Sequence, residues 1–113
     1  MAKTKLSLAI LFLFLMLLSL DLSGDTGKWC VTKPMTCDDM LQANIDFACN
    51  HVDCGLIRYG GGCYYPDTLI NHASVIMNLY YQANGRKDMS CYFKNTDCIV
   101  MKDPSYDECK YKF

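Results

Sequence analysis

Hydrophobic and polar positions divide the chain into an apolar leader, two amphipathic segments and a short-patterned remainder. Leu6 to Leu20 runs without a charge behind Lys3 and Lys5, the layout of a secretory signal peptide. Fifteen residues at helical rise reach only about 22 Å, short of a bilayer's hydrocarbon core, so the run is expected to be cleaved rather than to span a membrane. With the small residues of Leu22-Ser23-Gly24 at the cut, residues 1–24 form the signal peptide and residues 25–113 a single exported domain. The end of the chain, Lys110-Tyr111-Lys112-Phe113, has no apolar tail of the kind a lipid-anchor signal needs, so no stable membrane anchor is expected in the mature form.

From Asp38 or Asp39 to Cys49, apolar residues at Leu41, Ile45, Ala48 and Cys49 follow helical spacing with acidic residues at the start. A second helix is predicted from a cap at Asp67 or Thr68 to a stop at Asn84-Gly85, with Leu69, Ala73, Ile76, Met77 and Tyr80 on its core stripe. Val75, Leu79, Ile70 and Tyr81 widen that stripe, which predicts burial on more than one side. The polar remainder is a row of Asn71, Ser74, Asn78 and Gln82, a solvated face or a hydrogen-bonding strip for a neutral polyol. Between the helices, Gly60-Gly61-Gly62 lacks the pattern of a phosphate cradle and is read as a turn that lets Cys63 reach its partner. Beyond Gly85, Ser90 to Phe93 and Cys98 to Met101 read as extended pieces, with Asn95-Thr96-Asp97 as a hairpin connection. The fold class is α+β, small and disulfide-rich, with two main helices and a short antiparallel sheet.

Cysteine content changes the picture most. All eight cysteines, Cys30, Cys37, Cys49, Cys54, Cys63, Cys91, Cys98 and Cys109, follow the leader. A domain this small buries too little surface to be secure on its core alone, and exported domains of this size are commonly cross-linked. There is no CxxC pair or paired Cys/His cluster of the zinc type, so no metal site is expected, and no cofactor is called for. Spacing by itself leaves 105 possible pairings open.

Without the leader, nine Lys and Arg stand against eleven Asp and Glu, and no basic block or stripe occurs, so nucleic acid is not expected as a partner. Catalysis has little to stand on: no carboxylate pair is singled out for glycoside hydrolysis, Ser74 lacks the GxSxG elbow, and the cysteines are committed to bridges. His51 and His72 are isolated from each other in sequence, which gives acid/base cleavage of RNA little support. Eight tyrosines with Trp29, Phe47, Phe93 and Phe113 are too many for so small a core to bury completely. Exposed tyrosine faces stack on sugar rings while their hydroxyls stay wet.

Trp29-Cys30-Val31, Phe47-Ala48-Cys49, Asp53-Cys54, Gly62-Cys63-Tyr64-Tyr65-Pro66-Asp67-Thr68, His72-Ala73-Ser74, Asn78-Leu79-Tyr80-Tyr81-Gln82, Asn84-Gly85-Arg86, Ser90-Cys91 and Asp103-Pro104-Ser105-Tyr106 resemble, in order, the plant X-eight domain, also called carbohydrate-binding module family 43. The chain is similar to the secreted, single-domain, pollen-allergen-like members. The resemblance implies a non-enzymatic module that binds β-1,3-glucan such as callose or laminarin in the plant cell wall. It also implies the bridges Cys30–Cys91, Cys49–Cys54 and Cys63–Cys109. Cys37 and Cys98 are additional to the usual six cysteines and, by parity, are expected to pair with each other. Asp67 in place of the usual Asn, with Val75 and Met77 at positions often aromatic, are departures that bear on glucan preference. Carried over to this chain, the resemblance places a glucan-facing surface on Tyr64, Tyr65, Asn78, Tyr81, Gln82 and Arg86, with Tyr80 left in the core.

A different class of function, a disulfide-stabilised protein-interaction or signalling module that ignores polysaccharide, is not separated from this reading by sequence, since a tyrosine faces either partner equally well. Lipid carriage is a poor third, because the adjacent Cys-Cys and Cys-x-Cys of plant lipid-transfer proteins are missing. No Asn-x-Ser/Thr sequon occurs, so N-glycosylation is not expected.

Overall fold

A computed structural model describes residues 27–113; the expected leader lies outside them. Strand β1 (Trp29–Thr32) is followed by helix α1 (Asp38–Cys49), a 3-10 turn (Gly55–Ile57), helix α2 (Leu69–Ala83), a second 3-10 turn (Asp88–Cys91) and strand β2 (Asp97–Val100). Among the described residues, no helix is long and apolar enough to cross a membrane.

Both helices form where the patterning places them. Asp38 and Asp39 occupy the first turn of α1, where carboxylates complement the exposed N–H groups, and Leu41, Ile45 and Ala48 are buried. In α2, the Thr68 side chain caps the start by accepting from Asn71 N, and Gly85 follows the end with φ +78°, a conformation that glycine adopts freely. Burial of Ala73, Val75, Ile76, Met77 and Tyr81 makes α2 the central element. One of its sides packs with Trp29, Ala48, Cys54, Cys63, Cys109 and Tyr111. The other packs with Cys30, Leu41, Ile45, Cys91 and Phe93.

The sheet departs from the expected hairpin. β2 pairs antiparallel with the N-terminal β1, with Trp29 opposite Val100 and Thr32 opposite Asp97, not with Ser90–Phe93. The turn itself forms, with Thr96 N bonded to Phe93 O and the Asp97 carboxylate accepting from Phe93 N. The segment before it coils into a 3-10 turn, and the Cys30–Cys91 bridge ties it to β1.

Three disulfides are present, Cys30–Cys91, Cys49–Cys54 and Cys63–Cys109. In the chain-entropy picture, closures of 61, 5 and 46 residues contribute about 4, 2 and 4 kcal/mol taken singly, and less together. Cys37 and Cys98 are not joined; both are exposed thiols. Ile99 of β2 packs in the cluster that holds Leu41 and Ile45 of α1, while its neighbour Cys98 lies exposed.

Candidate functional site

The surface richest in exposed aromatic rings lies between the Gly-rich loop and the start of α2. Its backbone is held tightly. Gly61 N bonds to Arg58 O and Cys63 N to Leu56 O, and a Cβ on Gly61 would lie 2.3 Å from Gly55 O, so only glycine permits this close approach. The Cys63–Cys109 bridge then anchors the chain to its C-terminal segment. Tyr64 and Tyr65 follow, ahead of a cis bond to Pro66. His72 Nε2 lies 2.8 Å from Tyr64 O, and the Asn71 amide donates to Cys63 O and Pro66 O. The Tyr106 hydroxyl lies 2.7 Å from Asn71 Oδ1 and 2.9 Å from Tyr65 O, so its one proton serves one of these acceptors at a time.

Three rings meet edge to face on this frame. Tyr59 and Tyr64 have centroids 5.5 Å apart, and Tyr64 and Tyr65 4.8 Å apart. Tyr59 is 84% and Tyr65 68% exposed, whereas Tyr64 is half-buried. The Tyr64 hydroxyl donates to Asp67 Oδ2 at 2.9 Å, and that bond to a carboxylate holds its ionisation above the ordinary phenol range. Beside Tyr65 a groove of about 270 Å³ is lined by Gly61, Gly62, Tyr106, Asp107 and Glu108. Ring faces, backbone and carboxylate acceptors therefore converge on one open surface. Such a mixture suits a neutral polyol, which offers apolar C–H faces and many hydroxyl donors.

The other expected site residues lie elsewhere. Tyr81 has no exposed surface and belongs to the core that holds Met77, Ala73 and Phe93, so it cannot face a glucan. Its ring continues the Ala73–Met77 row at helical spacing, and burial pushes its ionisation up. Asn78 is also fully buried: its Oδ1 accepts from Cys30 N at 3.1 Å and its Nδ2 donates to Lys112 O at 2.8 Å. Gln82 is half-buried and donates to Lys28 O and to Asn78 Oδ1. Arg86 is exposed, but it lies past the far end of α2, whose axis rises about 16 Å from His72 to Ala83. Tyr80 is half-buried against Phe47 and Phe93. Of the six expected residues, only Tyr64 and Tyr65 belong to the tyrosine surface; Asn78 and Gln82 bond to each other under β1.

Sequence reasoning did not single out Tyr59 or Tyr106 for the site. Nor did it single out a second, more apolar groove of about 300 Å³ lined by Met40, Phe47, Tyr92, Phe93 and Lys94. Phe47, 47% exposed, was detectable as a large apolar residue off the Leu41–Ile45–Ala48 stripe.

The model of the X8 domain matches residues 28–110. The chain belongs to the X8 domain family. A glucan endo-1,3-beta-glucosidase of Triticum aestivum is 52% identical over 85 residues, which are 75% of this chain and 18% of the relative. The major pollen allergen Ole e 10 of Olea europaea is 44% identical over 86 residues, 74% of this chain and 70% of the allergen. Plasmodesmata callose-binding protein 5 of Arabidopsis thaliana is 40% identical over 85 residues, 74% of this chain and 47% of the relative. This X8 chain thus spans less than a fifth of the wheat glucosidase and most of the pollen allergen.

Proposed function

We propose that this X8 domain binds β-1,3-glucan chains of the callose or laminarin type without cleaving them, as an exported protein of the plant cell wall. The observation that carries the reading is the exposed Tyr59–Tyr64–Tyr65 cluster beside a groove whose lining includes Asp107 and Glu108. Tyr65 stacks on a glucose ring, and the groove carboxylates accept from ring hydroxyls. Because the Tyr64 proton is already given to Asp67, the Tyr64 oxygen meets the sugar as an acceptor.

Kinship supports the same reading. One relative is named for callose binding and another for an enzyme acting on 1,3-β-glucan, and the chain matches only a small part of the enzyme. A binding module separate from a catalytic one accounts for both.

Calorimetric titration of the disulfide-intact protein with laminarin oligosaccharides, against cellulose oligosaccharides of matched length, tests the proposal. Saturable heat with the β-1,3 chain alone is expected, and Tyr65→Ala weakens it about 2- to 12-fold, the range of about 0.5–1.5 kcal/mol for one aromatic contact. A folded sample that gives no heat with either sugar shifts the assignment to a protein partner.

A further inference from the structure

The tyrosine cluster has chemistry of its own. We propose that Tyr59 and Tyr64 form an oxidative coupling site, joined by a carbon–carbon bond between their rings when a peroxide-driven one-electron oxidant acts on the protein. Three observations converge. The two rings already meet edge to face with centroids 5.5 Å apart, which sets the ring edge of one against the face of the other. Tyr59 is 84% exposed and therefore open to an oxidant too large to enter the fold. The Tyr64 hydroxyl is hydrogen-bonded to the Asp67 carboxylate at 2.9 Å, so an acceptor stands ready for the proton that a phenol must shed as it loses an electron.

The balance is complete. Each phenol loses one electron and its hydroxyl proton, the Tyr64 proton passing first to Asp67 and the Tyr59 proton to water. The two phenoxyl radicals combine through ring carbons ortho to oxygen, and loss of the two ring hydrogens as protons, taken up again by the oxygens, restores two phenols. One hydrogen peroxide accepts both electrons and two protons and leaves as two waters. The rings must approach by a small further movement. Rotation about the side-chain bonds of Tyr59 supplies it, since that ring is 84% exposed and little packs against it. The product closes a covalent ring across residues 59–64, next to the Cys63–Cys109 bridge.

Ring coupling does not depend on glucan binding, and the experiment contains no sugar. Dilute disulfide-intact protein carrying Cys37→Ser/Cys98→Ser, which removes the two exposed thiols that would otherwise consume peroxide and couple, is treated with a haem peroxidase and limiting hydrogen peroxide, then followed by dityrosine fluorescence, intact mass and size-exclusion chromatography. The expected product is a monomer lighter by two hydrogens with dityrosine emission. Tyr59→Phe and Tyr64→Phe each abolish the emission, whereas Tyr65→Phe and Tyr92→Phe keep it. Asp67→Asn keeps a hydrogen-bond acceptor but not a base, and slows emission growth by tenfold or more while circular dichroism stays unchanged. Emission that survives Tyr59→Phe, covalent dimers as the main product, or an unchanged rate in Asp67→Asn overturns the proposal.

Discussion

The Asn78 side chain in α2 accepts the backbone N–H of Cys30 in β1 at 3.1 Å, so a helix completes the free edge of a strand. Ser74 Oγ accepts from Thr32 N in the same way, and Gln82 donates to Lys28 O. Steps of four residues along a helix rise about 6 Å and steps of two along a strand about 6.8 Å, so Ser74, Asn78 and Gln82 keep pace with Thr32, Cys30 and Lys28. Three members of the uncharged polar row of α2, Ser74, Asn78 and Gln82, are a docking edge for β1 and not a sugar-binding face, while Asn71 holds the Cys63 and Pro66 carbonyls.

Asn78→Ala therefore removes partners for the Cys30 N–H and the Lys112 carbonyl inside the fold. The expected loss is about 2–4 kcal/mol of unfolding free energy, read from a shift in denaturation midpoint. Laminarin affinity of the folded fraction stays at the original value.

The Tyr81 hydroxyl is buried with no hydrogen-bond partner among the described residues. Tyr81→Phe deletes that unpaired group and leaves the ring, so stability holds or rises by up to about 1 kcal/mol, whereas Tyr81→Ala costs about 3–5 kcal/mol through the cavity it opens. Equilibrium denaturation of both variants distinguishes this core role from a surface one, for which Tyr81→Phe and Tyr81→Ala would differ little.

Two exposed thiols imply reactivity without reductant. Disulfide-intact protein is expected to react at Cys37 and Cys98 with a thiol reagent while folded, and the double variant Cys37→Ser/Cys98→Ser to stay within about 0.5 kcal/mol of the parent. Cys30→Ala/Cys91→Ala, by contrast, opens the largest loop and costs about 2–5 kcal/mol. Failure of the native protein to react would show that the two cysteines are paired after all.

Burial pushes the Tyr111 phenol up to about 12 from its ordinary 10. Between these values the folded chain keeps a proton that the unfolded chain releases, so the Tyr111 contribution is intact below pH 10 and is lost as pH rises from 10 toward 12. In a tyrosinate absorbance titration, Tyr64 and Tyr81 are also held above the ordinary phenol range, and Tyr111→Phe is expected to remove one of the late-ionising groups.

Both helices were legible because their apolar spacing, the Thr68 cap and the Gly85 stop are local. The Tyr64–Tyr65 surface was legible too, since two neighbouring aromatic residues beside an anchored cysteine have little core to enter. Tyr81 and Asn78 were misplaced because helical spacing ranks the sides of α2 without telling how many neighbours enclose it. With α1 on one side and β1 on another, even its polar row is covered. The hairpin failed for a related reason: the partner of β2 lies at the other end of the domain, and pairing across 65 or more residues leaves no local signature.

By itself, the amino-acid sequence determined the number and bounds of the helices, the disulfide-rich class and the presence of aromatic rings in excess of the core, because these follow from residue type and short-range spacing. Only the tertiary structure decided which strand pairs with which, that Cys37 and Cys98 stay unpaired, and that Tyr59 and Tyr106 join Tyr64 and Tyr65, because each rests on the arrangement of the folded chain and not on short-range spacing.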